Sequence, residues 1–170
     1  WGVDFGLFDR QGFMIQNPLS YRNSIGAEVM EQMPDEQRLY LFRQTGILCD
    51  KINSVNMIKG MMEKMPSVFS NGHKLLMIPD ILNYLFSGCN EPSELSTTQL
   101  MDAKKRQLSE DVLGEMGIPS GLFAPIGKHG TPIGMLHSGV KEILGISYDV
   151  PVICVPSHDT AAAVLAIPAE

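Results

Sequence analysis

The chain has 170 residues, 44% of them apolar and 19% charged, with 19 acids against 13 bases and a net charge of −6. This is the composition of one ordinary globular domain, or a large piece of one, able to bury a substantial core. The acidic balance excludes the basic stripe of a nucleic-acid binder and disfavours an anionic membrane surface, and no run approaches the 18 apolar residues of a bilayer span.

Val3, Phe5 and Leu7 alternate with Gly2, Asp4 and Gly6, a period of two that predicts a strand with one apolar face. Asp9-Arg10-Gln11-Gly12 reads as a turn into a second strand from Phe13, making a hairpin that ends near Tyr21. Pro34-Asp35 opens a helix with Leu39 and Phe42 on its apolar face and Gly46 at its end. Asn53 or Ser54 is placed to cap a second helix, striped by Val55, Ile58, Met61, Met62 and Met65 and stopped by Pro66. Lys74–Ile78 is a short buried strand or a helix entry. Pro79 then starts a helix with Ile81, Leu82 and Leu85 facing inward. Ser109-Glu110-Asp111 starts another helix that Gly117 closes, and Val140, Ile143 and Leu144 mark a short one ended by Gly145. The continuous run Val150–Val155 reads as a strand buried on both faces, as in a parallel sheet, with an Ala-rich helix over 161–166 after a polar turn.

Strand, polar turn and small-residue helix form the layout of an α/β ligand site. The stretch Ser157-His158-Asp159-Thr160 therefore holds the chemistry-bearing candidates. Asp159, beyond the strand, is a candidate general base for a substrate hydroxyl. The N–H groups of the following helix favour an anion such as phosphate. The bland alternative is that Asp159 or Thr160 caps the helix. A Ser157-His158-Asp159 triad is excluded, because consecutive side chains diverge and no G-x-S-x-G elbow is present. Asp4-Phe5-Gly6 matches a kinase metal triplet only by letters, and close strand packing explains its glycines equally well. Thr97-Thr98-Gln99 is either a set of hydrogen-bond donors to a polyol or a solvated strand. Arg22 reads as a surface or ion-pair residue. His73, His129, His137 and His158 are scattered, without zinc spacing. The three cysteines, Cys49, Cys89 and Cys154, read as reduced thiols of a cytoplasmic protein.

Trp1-Gly2-Val3-Asp4-Phe5-Gly6-Leu7-Phe8-Asp9, Thr45-Gly46-Ile47, Leu76-Met77-Ile78-Pro79-Asp80, Thr97-Thr98-Gln99 and Ser157-His158-Asp159-Thr160-Ala161 occur in this order. The series resembles the FGGY carbohydrate kinase family, and within it the branch acting on L-rhamnulose. The resemblance implies an α/β fold of the RNase H-like (actin-like ATPase) type, a mixed sheet flanked by helices, incomplete at both ends. Residues 1–170 would be most of an N-terminal sugar-binding domain, with the phosphate-loop strands upstream and the ATP-binding domain downstream both outside the sequence, leaving the isolated chain inactive. It implies ATP and Mg²⁺ as co-substrate, a small sugar as acceptor, L-rhamnulose 1-phosphate as product, and no nucleic-acid or membrane partner. Asp159 matches the family's catalytic base, His158 and Thr160 flank it as sugar contacts, and Gly2 matches a substrate-contacting glycine. Departures stand at Asn23 and Ile25, where the family shows Tyr-Arg-Asp-Ser-Arg, around Asp50-Lys51 and Asn53-Ser54, and at His129-Gly130-Thr131 in place of Pro-Gly-Thr. They keep open an L-fuculose or xylulose kinase, or a sugar-binding relative that has lost transfer.

Overall fold

A computed structural model describes residues 2–89, 95 and 97–168. Trp1, which opens the resemblance, and the terminal Ala169-Glu170 lie outside the described residues.

Strand β1 (Phe5–Phe8) is buried at all four positions. The alternation predicted one apolar face, but the strand is covered on both. On one edge it pairs antiparallel with β2 (Lys74–Met77), with Phe5 opposite Met77 and Phe8 opposite Lys74. On the other edge the returning chain meets it at two isolated bridges, Phe5 with Leu19 and Phe8 with Met14, rather than as a continuous second strand. Gly6 is tightly packed there: a Cβ would stand 3.1 Å from Ile81 Cδ1 and 3.2 Å from the Met14 sulfur. The predicted turn forms around Asp9, whose Oδ1 accepts the N–H groups of Gln11 and Phe13, both at 2.9 Å.

Helix α1 (Ile25–Gln32) has no counterpart in the sequence reading. It lies against α3 (Ser54–Lys64) through glycines. A Cβ on Gly60 would meet Ile25 Cγ1 at 2.8 Å and the Ile25 carbonyl at 3.0 Å, and one on Gly26 would collide with the Lys51 carbonyl. Between them, α2 (Asp35–Thr45) opens with Asp35 and Glu36 and closes on Gly46 at φ +71°, as the sequence predicts. Its inward face is Leu41 and Thr45, however, not Leu39 and Phe42, which are exposed. Pro66 does not simply stop α3. It occupies the first turn of the short α4 (Pro66–Ser70), where its missing N–H costs nothing.

Helix α5 (Ile78–Ser87) follows β2 directly and buries Ile81, while Leu82 and Leu85 remain exposed. Helix α6 (Glu110–Met116) matches its sequence signals: Ser109 Oγ accepts the Val112 N–H at 3.2 Å and Gly117 closes it at φ +67°. One 3₁₀ turn (Ser120–Leu122) follows.

The second pair of strands, β3 (Pro132–Met135) and β4 (Pro151–Ile153), is antiparallel with a register break between Pro132 and Gly134. This corrects the parallel, doubly buried strand expected over Val150–Val155. Pro151 and Ile153 are exposed, and Cys154, just past the strand, is the buried residue of the run. An unbroken apolar run carries no period, so it does not separate a central strand from a short hairpin arm. Between these strands α7 (Ser138–Leu144) forms where predicted, but its Ile143 is 85% exposed. Helix α8 (Asp159–Leu165) ends the described chain.

The main core joins β1 and β2 to α1, α2, α3 and α6, with Phe5, Leu41, Val55, Ile58, Met77 and Leu113 among its buried members. Cys49, Cys89 and Cys154 are not disulfide-bonded. Among the described residues no helix is long and apolar enough to cross a membrane.

Candidate active site

Three separate stretches of chain meet where β1 is entered: Gly2-Val3, the turn at Thr97–Gln99, and the start of α8. The first turn of α3 holds the first two together. Ser54 Oγ donates to the Val3 carbonyl at 2.7 Å. Asn53 Nδ2 donates to the Thr97 carbonyl at 2.9 Å, and the Val55 N–H donates to the Thr98 carbonyl at 3.0 Å. Asn53 and Ser54 make no side-chain cap for α3; their polar atoms serve these tertiary bonds instead. Their burial, 1% and 0% exposed, makes such bonds obligatory, because an unpaired polar atom there would cost about 1–3 kcal/mol.

The Thr97–Gln99 turn is neither a solvated strand nor a uniform row of donors. Thr98 and Gln99 are buried. Thr98 Oγ1 donates to the Leu95 carbonyl at 2.6 Å, and Gln99 Nε2 to the Ile47 carbonyl at 2.6 Å. Gln99 adopts φ +59°, a left-handed conformation that a non-glycine residue holds only when its surroundings fix it. Thr97 alone turns its hydroxyl toward the site, 3.4 Å from His158 Nε2.

His158 is the junction. A Cβ on Gly2 would run into its ring, so only glycine lets β1 and the imidazole approach this closely. The His158 side chain is 17% exposed, and its Nδ1 lies 3.1 Å from Asp159 Oδ1. Asp159, by contrast, is 91% exposed and stands at the rim. Its Oδ1 also accepts the Thr160 N–H at 2.7 Å and lies 3.4 Å from Thr160 Oγ1. The Thr160 N–H first, and the neighbouring imidazole second, hold the Asp159 carboxyl below the ordinary carboxylate value. Asp159 is therefore an ionised, accessible acceptor at neutral pH. His158, not Asp159 or Thr160, takes the cap position of α8. Of the N–H groups at the start of this seven-residue helix, that of Thr160 is taken by the Asp159 carboxylate.

The four predicted site residues, Gly2, His158, Asp159 and Thr160, thus stand together. Thr97, Asn53 and Ser54 complete the arrangement. The sequence signal for Thr97 was the polar cluster, which does not say which of its three members faces outward. The other candidates are structural. Asp4 Oδ1 accepts the Tyr21 N–H at 2.7 Å, and Arg22 lies over the Tyr21 ring at 5.8 Å. The departure at Asn23 serves the local chain, its Oδ1 accepting the Ile25 N–H at 2.9 Å. Among the described residues no group of three His, Cys, Asp or Glu side chains is gathered to hold a metal ion. A recess of about 750 Å³ between the Asp9 turn and Ser70–His73 is not lined by Asp159, which is exposed.

Residues 2–166 match the N-terminal domain of the FGGY family of carbohydrate kinases. The chain belongs to that family. A rhamnulokinase of Yersinia pestis (strain Pestoides F) is 39% identical over 173 residues, covering 99% of this chain and 34% of that protein. A rhamnulokinase of Oceanobacillus iheyensis is 33% identical over 175 residues, covering 100% of this chain and 36% of that protein. This FGGY chain therefore spans about a third of the length of the curated relatives it matches. Its fold is that of the sugar kinases of the actin-like ATPase type: the ligand-bound xylulose kinase from Lactobacillus acidophilus superposes with a TM-score of 0.82 over 91% of this chain and 32% of that one, at 14% identity.

Proposed function

We propose that the protein containing this chain is an ATP-dependent ketose kinase that converts L-rhamnulose to L-rhamnulose 1-phosphate, with residues 1–170 supplying most of its sugar-binding domain. The observation that carries the reading is the convergence of Gly2, His158, Asp159 and Thr160, from opposite ends of the chain, around one exposed and ionised carboxylate. The choice of ketose is supported by the names of the 39% and 33% identical relatives.

In this reading the contacts of Asp159 fall on Oδ1, which orients the carboxylate, and Oδ2 receives the proton. The sugar hydroxyl oxygen bonds to the γ-phosphorus of ATP as its O–H proton passes to Asp159. The bond from the γ-phosphorus to the β–γ bridging oxygen breaks, and ADP departs with that electron pair. Such transfer depends mostly on positioning and charge stabilisation. MgATP enters as substrate. Gly2, His158 and Thr160 bound the sugar.

The test is a panel of ketoses with MgATP and the full-length protein. L-rhamnulose is expected to give the highest kcat/KM, and a clear preference for L-fuculose, its ribulose- or xylulose-type analogues, or no turnover at all, would overturn the assignment. Asp159→Asn is expected to lower kcat by about 10²- to 10⁴-fold with sugar binding largely kept. An unchanged kcat would remove Asp159 from the base role.

A further inference from the structure

The two ring nitrogens of His158 face protein groups. Nδ1 is sealed from solvent beside Asp159 Oδ1 at 3.1 Å, in a geometry that falls short of a full hydrogen bond. Nε2 lies 3.4 Å from Thr97 Oγ1, at the outer limit of an O–H···N bond. A lone pair on Nδ1 would face an anionic oxygen and be repelled, so in a neutral ring the proton belongs on Nδ1. Nε2 is then the acceptor, and Thr97 must donate. Thr97 is well placed to make that donation. Its carbonyl is tied to Asn53, its neighbours Thr98 and Gln99 are buried and bonded, and Gln99 is locked in a left-handed conformation, so the turn has little freedom to withdraw the hydroxyl. On the opposite side the ring packs closely against Gly2, where any Cβ would run into it.

We infer that Thr97 is a positioning residue of this site: its hydroxyl donates to the His158 Nε2 that the carboxylate leaves as an acceptor, and so holds the imidazole against Asp159 Oδ1, leaving Oδ2 to face the sugar hydroxyl. The inference rests on the reading of Asp159 as base. It places His158 chiefly as the group that orients the carboxylate, as the third member of a hydrogen-bonded catalytic chain orients its neighbour. Thr97 touches no reacting atom.

The experiment uses the full-length protein with Thr97→Val, which keeps the shape and removes the hydroxyl, and Thr97→Ser, which restores it. Long-range proton–nitrogen NMR of histidine-labelled protein reads the tautomer directly. The Nδ1–H form is expected in the parent and in both variants, with the Nε2 resonance shifted in Thr97→Val, where its hydrogen bond is lost, and restored in Thr97→Ser. Kinetically, Thr97→Val is expected to lower kcat roughly tenfold, less than the loss of a general base, with KM for the ketose changed less, and Thr97→Ser is expected to recover most of the rate. An Nε2–H or doubly protonated ring in the parent, or a Val variant with unaltered Nε2 resonance and kcat, would overturn the inference. Asp159→Asn separates the two claims. A fully active Asp159→Asn enzyme defeats the base reading and with it any catalytic role for Thr97, whereas an inactive one beside an unperturbed Thr97→Val defeats only the role of Thr97.

Discussion

The Thr160 N–H and the His158 ring together stabilise the charged form of Asp159. A carboxylate whose folded value lies below its ordinary one is ionised above that value and loses the charge only as pH falls through it. If Asp159 is the base, its protonation limb in kcat/KM therefore lies below the ordinary carboxylate value of 3.8. Between pH 5 and pH 8 the Asp159 contribution is expected to be flat, so a pH–rate profile with an acid limb near 6 would have to arise from another group. Gly2 gives a second prediction at this scale. Gly2→Ala drives a methyl group into the His158 ring, and the displacement is expected to lower kcat/KM by about 10²-fold, a cost typical of an ångström-scale misplacement. Because the contact lies at the site and not within the main core, thermal melting is expected to change little.

At the scale of elements, the glycines of the helices separate into two kinds. Gly60 in α3 stands where any Cβ would press on Ile25 and its carbonyl, whereas Gly114 in α6 has nothing within 4 Å. Gly114→Ala is expected to stabilise by about 0.5–1 kcal/mol through backbone entropy alone. Gly60→Ala gains the same propensity but overpacks the α1–α3 contact at about 1–3 kcal/mol, so a net loss is expected. Chemical denaturation of the two variants checks the opposite signs. Helix α1 escaped the sequence reading although Ile25 and Val29, with Met33 just past its end, repeat every four residues and pack on the core; no side-chain cap marks its start. Helices with standard punctuation were legible: Ser109 and Gly117 around α6, and Pro34, Asp35 and Gly46 around α2. Faces were less so, because Leu39, Phe42, Leu82 and Leu85 have the right spacing and still point outward. The site was legible as a motif, Ser157–Thr160, and through its resemblance to a family. Its bracket was not, since Asn53 and Ser54 look like helix caps and only the fold shows that they bond across 44 and 51 residues of sequence.

At the scale of the molecule, apolar side chains crowd the end of the described chain. Ile143, Leu144 and Tyr148 are exposed near α7, and Val164, Leu165 and Ile167 in and after α8. An apolar surface of this kind favours association. Residues 1–170 produced alone are expected to self-associate with rising concentration, read by light scattering, and polar substitutions at Val164 and Leu165 are expected to reduce it. A monodisperse monomer across the range would count against this. The net charge of −6 opposes the tendency, so added salt, by screening it, is expected to strengthen association.

The opening turn of α3 reaches both the Val3 carbonyl and the Thr97 carbonyl while its next turns, through Val55, Ile58 and Met61, sit in the densest part of the interior. The placement of Gly2 and Thr97 relative to each other is consequently not an independent surface adjustment. It is anchored to the same stretch of polypeptide that keeps the domain folded, so heat cannot slacken the one long before it dissolves the other.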